Sequence, residues 1–334
     1  MRWPRCASAS TGTGGSLASL DKVVVTGAAG YIGGQLIKAL SAGGSTVHAV
    51  VREPAPRLEV AQTVCDISHE QSREPLRAAC EGAQTVVHLA GENELMAART
   101  PAAALASTVV ATERLSEVCV EARIKRLVYM STIHVYGARI RPGATLQERM
   151  RVEPRSAYAI SRLASEHVAA TLAGSLELVI LRLTNSVGAP DHPSVERWSL
   201  VANDLCRQGA LRGRLELHTP GTQWRDFVAL GDVCAGIVRA SASSEPAVSP
   251  GTYNFGSGRP TTVRQLAGMI QDAFQQQTGT RPRLLAPKPT AEAPSPYSVS
   301  VQLAAEQGLE ARTDLREAVA ETVGFCLEHR EELA

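Results

Sequence analysis

Aromatic side chains are scarce in this chain of 334 residues, at 4%, and its formal net charge is only +1. The first shortage removes the stacking platforms that hold single-stranded nucleic acid. The second removes the basic excess that draws a protein to nucleic acid or to an anionic membrane. Long apolar runs are missing as well: a stretch such as Leu176 to Leu183 is too short to span a bilayer and is interrupted by charge. The seven cysteines (Cys6, Cys65, Cys80, Cys119, Cys206, Cys234, Cys326) are odd in number and never take the spacing of metal ligands. They read as reduced thiols, mostly core filler, in a cytoplasmic protein without a metal centre. Acids are absent before Asp21, and residues 1–20 carry Arg2, Arg5 and many Ser, Thr and Gly. Lacking an apolar core and a clear amphipathic face, that stretch reads as a disordered extension. No internal repeat is visible.

What is present is an ordinary globular composition, 44% hydrophobic and 20% charged, in a length that suits one large α/β domain with an appended lobe. Its most informative stretch is Thr26-Gly27-Ala28-Ala29-Gly30-Tyr31-Ile32-Gly33. Lys22 to Val25 before it reads as a buried strand, and Tyr31 to Leu40 after it has the apolar spacing of a helix ending at Gly43-Gly44. Strand, glycine turn and helix N-terminus together make an anion site, because the first-turn N–H groups and the positive end of the helix dipole face the same point. Gly27 can take the turn, Gly30 lets backbone approach a pyrophosphate, and Gly33 lets helix and strand pack closely. In that context the motif reads as a dinucleotide-binding turn rather than a plain loop.

Strand and helix signals alternate onward to about Ala189. Thr46–Val51, Thr85–Ala90, Arg126–Ser131 and Leu178–Leu183 read as strands, with helices at Glu70–Glu81, Ala103–Ala122 and Ala157–Ala173 between them. Alternation with near-continuous apolar strands predicts an α/β fold, a Rossmann-type doubly wound parallel sheet with ligands at the carboxyl ends of its strands. Beyond residue 190 prolines punctuate the pattern, a proline-rich stretch runs from Pro282 to Pro296, and Arg264–Phe274 and Asp314–Glu328 read as helices. The expected division is residues 1–20 as extension, 21–189 as dinucleotide-binding domain, and 190–334 as a smaller substrate-binding lobe interleaved with it.

Tyr158 and Arg162 lie four apart on the helix that begins near Ser156, so they share a face. A cation beside a phenol favours the phenolate, which is how a tyrosine can move protons near neutrality. Ser131-Thr132 closes a strand at its carboxyl end, where a hydroxyl can bond a substrate oxygen. Taken singly, each of these also reads as a core aromatic, a surface ion pair or a helix cap.

Together they resemble the extended short-chain dehydrogenase/reductase family, the NAD-dependent epimerases and dehydratases of the nucleotide-sugar type, over nearly the whole chain from Asp21. Thr26–Gly33 resembles that family's cofactor turn, and Val87-His88-Leu89-Ala90-Gly91 its strand under the cofactor. Tyr129–Gly137 resembles the segment carrying the catalytic Ser/Thr, and Tyr253-Asn254-Phe255-Gly256 a late structural motif. The resemblance implies Thr132, Tyr158 and Arg162 as catalytic residues. It implies a cofactor site of Gly27, Ala29, Gly30, Tyr31, Ile32, Gly33, Asp66, Ile67, Leu89, Ala90, Gly91, Tyr158 and Arg162, to which the end of the second strand adds Arg52. By the same resemblance Thr132, Asn185 and Arg225 (in Arg225-Asp226-Phe227-Val228) would meet substrate, with His134, a departure from the family, as a further candidate beside them; a homodimer through the helices at Ala103–Ala122 and Ala157–Ala173 is expected.

The departures shape the expectation. Arg162 stands where the family has lysine; it keeps the charge but cannot release a proton. Lysine occurs only at Lys22, Lys38, Lys125 and Lys288, so a general preference for arginine also accounts for it. Thr108 replaces a usual asparagine. Val51 ends the second strand where an NAD site shows an acid, and Arg52 follows it, so NADP is expected over NAD. Ile133 and His134 stand where sugar dehydratases carry Asp and Glu, which argues against 4,6-dehydration; His134 either donates a proton or packs beside the cleft. The leading reading is an NAD(P)-dependent epimerase or reductase acting on a secondary alcohol or ketone of a nucleotide sugar. Two other readings stay open: reduction of an apolar ketone or sterol-like alcohol, and NADP(H) binding without turnover.

Overall fold

Val23, Val24 and Val25 are completely buried in the strand Lys22–Thr26 (β1), as a β-branched run covered on both faces of a parallel sheet should be. The chain turns at Gly27 into the helix Tyr31–Ala42 (α1) and returns as Thr46–Val51 (β2), parallel to β1. Ala61–Val64 (β3), Thr85–His88 (β4) and Arg126–Thr132 (β5) follow, then strands Glu177–Leu183 and Gly251–Phe255. The computed structural model describes residues 22–172, 174–242, 247–289 and 294–334, so the expectation for residues 1–20 lies outside the described residues.

The seven strands form one sheet in the order 251–255, 177–183, β5, β4, β1, β2, β3. Every neighbouring pair is parallel. Strand order reverses between β1 and β4, which opens a crevice at their carboxyl ends. Helices cover both faces. On one, Leu36, Ile37 and Leu40 of α1 pack with Val233 and Ile237 of the helix Leu230–Ser241. On the other lie the helices Arg73–Cys80 (α2), Glu94–Arg99 (α3), Pro101–Glu121 (α4) and Ala157–Ala170 (α5). There Leu76, Leu115, Cys119 and Ala169 join a second buried cluster.

A third cluster lies outside this sandwich. Strands Asn185–Val187, Trp224–Ala229 and Pro260–Thr262 make a small sheet. Helices Val201–Arg212, Val263–Thr278 and Leu315–Glu328 close over it through Leu205, Leu266, Ile270 and Val319. Yet Gly251–Phe255 runs back to the edge of the main sheet, so the late chain serves both bodies. Neither β3 nor this edge strand is evident from periodicity. Ala61-Gln62-Thr63-Val64 has polar residues at its centre and no buried position. Gly251-Thr252-Tyr253-Asn254-Phe255 holds a fully buried Asn254, whose side chain accepts from the Tyr136 hydroxyl at 2.7 Å. Among the described residues, no helix is long and apolar enough to cross a membrane.

Candidate active site

The carboxyl ends of β1, β4 and β5 open onto a groove of two adjoining cavities, about 360 and 1000 Å³. Gly27, Gly30 and Gly91 wall both. A further cavity of about 880 Å³, bordered by Arg123 and Lys125, lies at the opposite, amino ends of the strands, away from the glycine turn.

The turn is bare for steric reasons. Gly27 has φ +65°, and a Cβ on it would stand 2.7 Å from the Ala90 nitrogen; on Gly33 one would stand 2.4 Å from the Gly27 carbonyl oxygen. Gly30 enters α1 in extended backbone with no side-chain cap, leaving the first-turn N–H groups and the positive helix end facing the cavity. A diphosphate fits this cradle in both shape and charge.

The larger cavity is the outer end of the groove. Arg52, with 71% of its side chain exposed, pairs with Glu92 at 3.3 Å. Burial pushes the Asp66 carboxyl up, but bonds to Oδ1 from the Ser68 N–H (2.9 Å) and hydroxyl (2.6 Å) outweigh it and leave it below its ordinary value. Ile67, Leu89 and Ala90 complete that wall. Tyr31 and Ile32 line the inner cavity. The Tyr31 hydroxyl donates to the Gly188 carbonyl at 2.9 Å, and burial raises its pKa far above the usual phenol value.

Thr132, His134, Tyr158, Arg162 and Asn185 all line the inner cavity. Thr132 ends β5 and caps the next turn, its oxygen accepting the His134 N–H at 3.2 Å. A hydroxyl that accepts this bond keeps its own proton available to donate. Ser156 caps α5 through the Ala159 N–H at 3.2 Å, which places Tyr158 in the first turn and Arg162 one turn on. The Arg162 guanidinium lies 5.4 Å from the Tyr158 ring centroid. Its Nη1 donates to the carbonyls of Ala90 (3.3 Å) and Met130 (3.4 Å). Gly91 makes room for it: a Cβ there would stand 2.9 Å from Nη2. Burial works against the charge, but the phenols of Tyr129 and Tyr158 outweigh it and tighten the hold on the guanidinium proton.

His134 is open to the cavity yet walled by protein, its ring edge-on to Tyr158 with centroids 6.4 Å apart. Burial lowers its pKa; Glu94 opposes this and Arg225 adds to it. The Asn185 amide donates to the Asp226 carbonyl at 3.0 Å. Arg225 alone among the expected site residues is outside both linings, its guanidinium donating to the Trp224 carbonyl at 2.8 Å.

Several residues here are not marked by any local pattern. Glu94 of α3 and Arg197 of the loop after Asn185–Val187 pair across the inner cavity at 2.9 and 3.2 Å. Behind the wall Glu166 receives Arg182 at 2.7 and 3.1 Å and also the Ser131 hydroxyl. Acid and base at helical or strand spacing would have signalled such pairs, but these partners come from different elements. Among the described residues, no group of three or more His, Cys, Asp or Glu side chains is placed to hold a metal ion.

The sequence profile of the NAD dependent epimerase/dehydratase family matches residues 23–256. The chain is 33% identical over 313 residues to dTDP-6-deoxy-L-talose 4-dehydrogenase (NAD(P)(+)) of Kitasatospora kifunensis, across 90% of this chain and 94% of that one. It is 27% identical over 300 residues to dTDP-L-rhamnose 4-epimerase of Burkholderia thailandensis, across 76% and 82%. The structure of MoeE5 in complex with UDP-glucose and NAD matches with a TM-score of 0.76 and 28% identity, covering 94% of this chain and 100% of that one. On matched sequence and matched fold together, the chain belongs to the NAD-dependent epimerase/dehydratase family and is an enzyme of that family.

Proposed function

We propose that the protein oxidises or reduces a secondary alcohol or ketone on the sugar of a nucleotide sugar, with Tyr158 moving the proton. The observation that carries this reading is that Thr132, Tyr158 and Arg162 face one cavity with the glycine turn. A bound nicotinamide dinucleotide would supply the hydride acceptor or donor. Thr132 orients the reacting oxygen with its free hydroxyl proton. Tyr158 gives a proton to that oxygen in reduction and takes one from it in oxidation. Arg162, fixed by two carbonyls, stabilises negative charge on the phenol oxygen during the transfer. Asn185 meets the nucleotide diphosphate with its remaining N–H, and Arg225 adds positive potential from outside the lining. The Kitasatospora and Burkholderia relatives are named for reactions at position 4 of dTDP-sugars, which supports a 4-hydroxyl or 4-ketone as the reacting group.

NADP is the coenzyme we favour, because Val51 ends β2 without an acid and Arg52 stands exposed at the groove. Equal or tighter binding of NADH than NADPH in a titration refutes that preference. A homodimer through α4 and α5 belongs to the same proposal, and Ile160, 43% exposed, supports it; a sedimentation mass of one 35.4 kDa chain counts against it. The central test is Tyr158→Phe assayed on dTDP- and UDP-sugars. Turnover should fall about a hundredfold or more, well beyond any change in coenzyme affinity, and unaltered turnover discards the mechanism.

A further inference from the structure

We propose that Arg57 is a coenzyme-binding residue, a guanidinium held over the glycine turn by Asp191 so that it pairs with the diphosphate of a bound dinucleotide. The inference rests on the dinucleotide-dependent reading above. Arg57 sits in the short 3₁₀ turn Pro56–Leu58 after β2, anchored by buried Ala55 and Leu58 on either side. Its Nη2 donates to the Ala29 carbonyl at 2.6 Å, inside the glycine turn itself, and Nη1 pairs with Asp191 Oδ2. Arg57 lines the same cavity as Gly27, Ala29 and Gly30.

Asp191 is a rigid anchor. Its side chain is only 3% exposed. Its backbone is tied to α1 by Lys38 Nζ on the Asp191 carbonyl and Gln35 Nε2 on the Ala189 carbonyl, both at 3.0 Å. The carboxylate fills the place that Gly34 leaves empty: a Cβ on Gly34 would stand 2.1 Å from Oδ1. Oδ1 is itself buried without a hydrogen-bond partner. An uncompensated carboxylate here would repel an anion at the helix terminus; carrying Arg57, it instead presents a cation. The guanidinium has five donors in a fork, so N–H groups remain for phosphate oxygens after the bonds to Ala29 and Asp191. The cation and the positive end of α1 thus converge on one point. Arg52 is elsewhere, exposed beside Glu92 at the end of β2, so the two arginines address different parts of the ligand.

The test is titration of NADH and NADPH by fluorescence and calorimetry against wild type, Arg57→Ala, Arg57→Lys and Asp191→Asn, each with a thermal melt. Wild type should bind, and Arg57→Ala should weaken both dinucleotides alike by about ten- to a hundredfold. Arg57→Lys should recover part of the loss. Asp191→Asn, which keeps an acceptor for the guanidinium, should stay within about threefold of wild type. If wild type binds and Arg57→Ala binds equally well, the assignment is wrong. A loss confined to NADPH overturns it in favour of the 2′-phosphate. Equal losses from Arg57→Ala and Asp191→Asn, with both variants melting well below wild type, overturn it in favour of a purely structural strut. Wild type binding neither dinucleotide would instead bring down the functional reading, and this inference with it.

Discussion

Replacing His88 with glutamine isolates one titration beneath the coenzyme groove. His88 is fully buried at the end of β4, with Nδ1 2.7 Å from Thr26 Oγ1 and Nε2 3.1 Å from Thr112 Oγ1. Burial, aided by the charge of Arg162, lowers its pKa from 6.5 to about 3. The folded protein therefore stays neutral here across a range in which the unfolded chain takes up a proton. Above the unfolded value nothing is lost. As pH falls below it, stability declines by ~1.4 kcal/mol per unit, and the loss levels off near the folded value. Between pH 6.5 and pH 5 this one side chain accounts for about 2 kcal/mol. Glutamine keeps a polar head between the two threonines but does not titrate; at pH 7 the altered bonds should cost about 1 kcal/mol. Urea unfolding at pH 7 and pH 5 separates the two effects, because carboxylates such as Glu94 titrate in both proteins and cancel. The drop in unfolding free energy between the two pH values should be about 2 kcal/mol smaller in His88→Gln. Identical drops would refute the argument, since they would mean that His88 can charge without unfolding.

Three further outcomes follow from packing and charge at the site. Gly33→Ala drives a methyl to 2.4 Å from the Gly27 carbonyl; it should cost about 1–3 kcal/mol in thermal unfolding and abolish dinucleotide binding, and retained binding contradicts the tight helix–turn contact. Glu166→Gln leaves the buried Arg182 charge unmatched. We expect a loss of about 3–5 kcal/mol, and a value under about 1 kcal/mol in denaturant unfolding would show that the pair is not desolvated as described. Arg162→Met should lower turnover by about a hundredfold, while Arg162→Lys keeps measurable activity. Full activity in the methionine variant would remove electrostatics from the mechanism.

The glycine turn and the parallel sheet were legible because each is written in local pattern; Thr132, Tyr158 and Arg162 were singled out by the resemblance to a family, and the fold brings the three to one cavity. A strand followed by Gly27, Gly30 and Gly33 states its own geometry, and Tyr158 and Arg162 declare a shared face by being four apart. Alternating apolar runs likewise imply a sheet covered on both sides. Contacts between distant segments were not legible. Nothing in the sequence places Arg197 against Glu94, or Asp191 against Arg57, because those partners are 103 and 134 residues apart. Arg225 illustrates the limit from the other direction: a familiar motif marked it, yet its side chain turns to its neighbour's carbonyl outside the cavity. The strand Gly251–Phe255 pairs with Glu177–Leu183 only after the intervening chain has built a second body and returned. Periodicity along a chain records which face of an element is buried. Which elements meet, and so which charges are paired and which face a ligand, is settled by the packing of the whole fold.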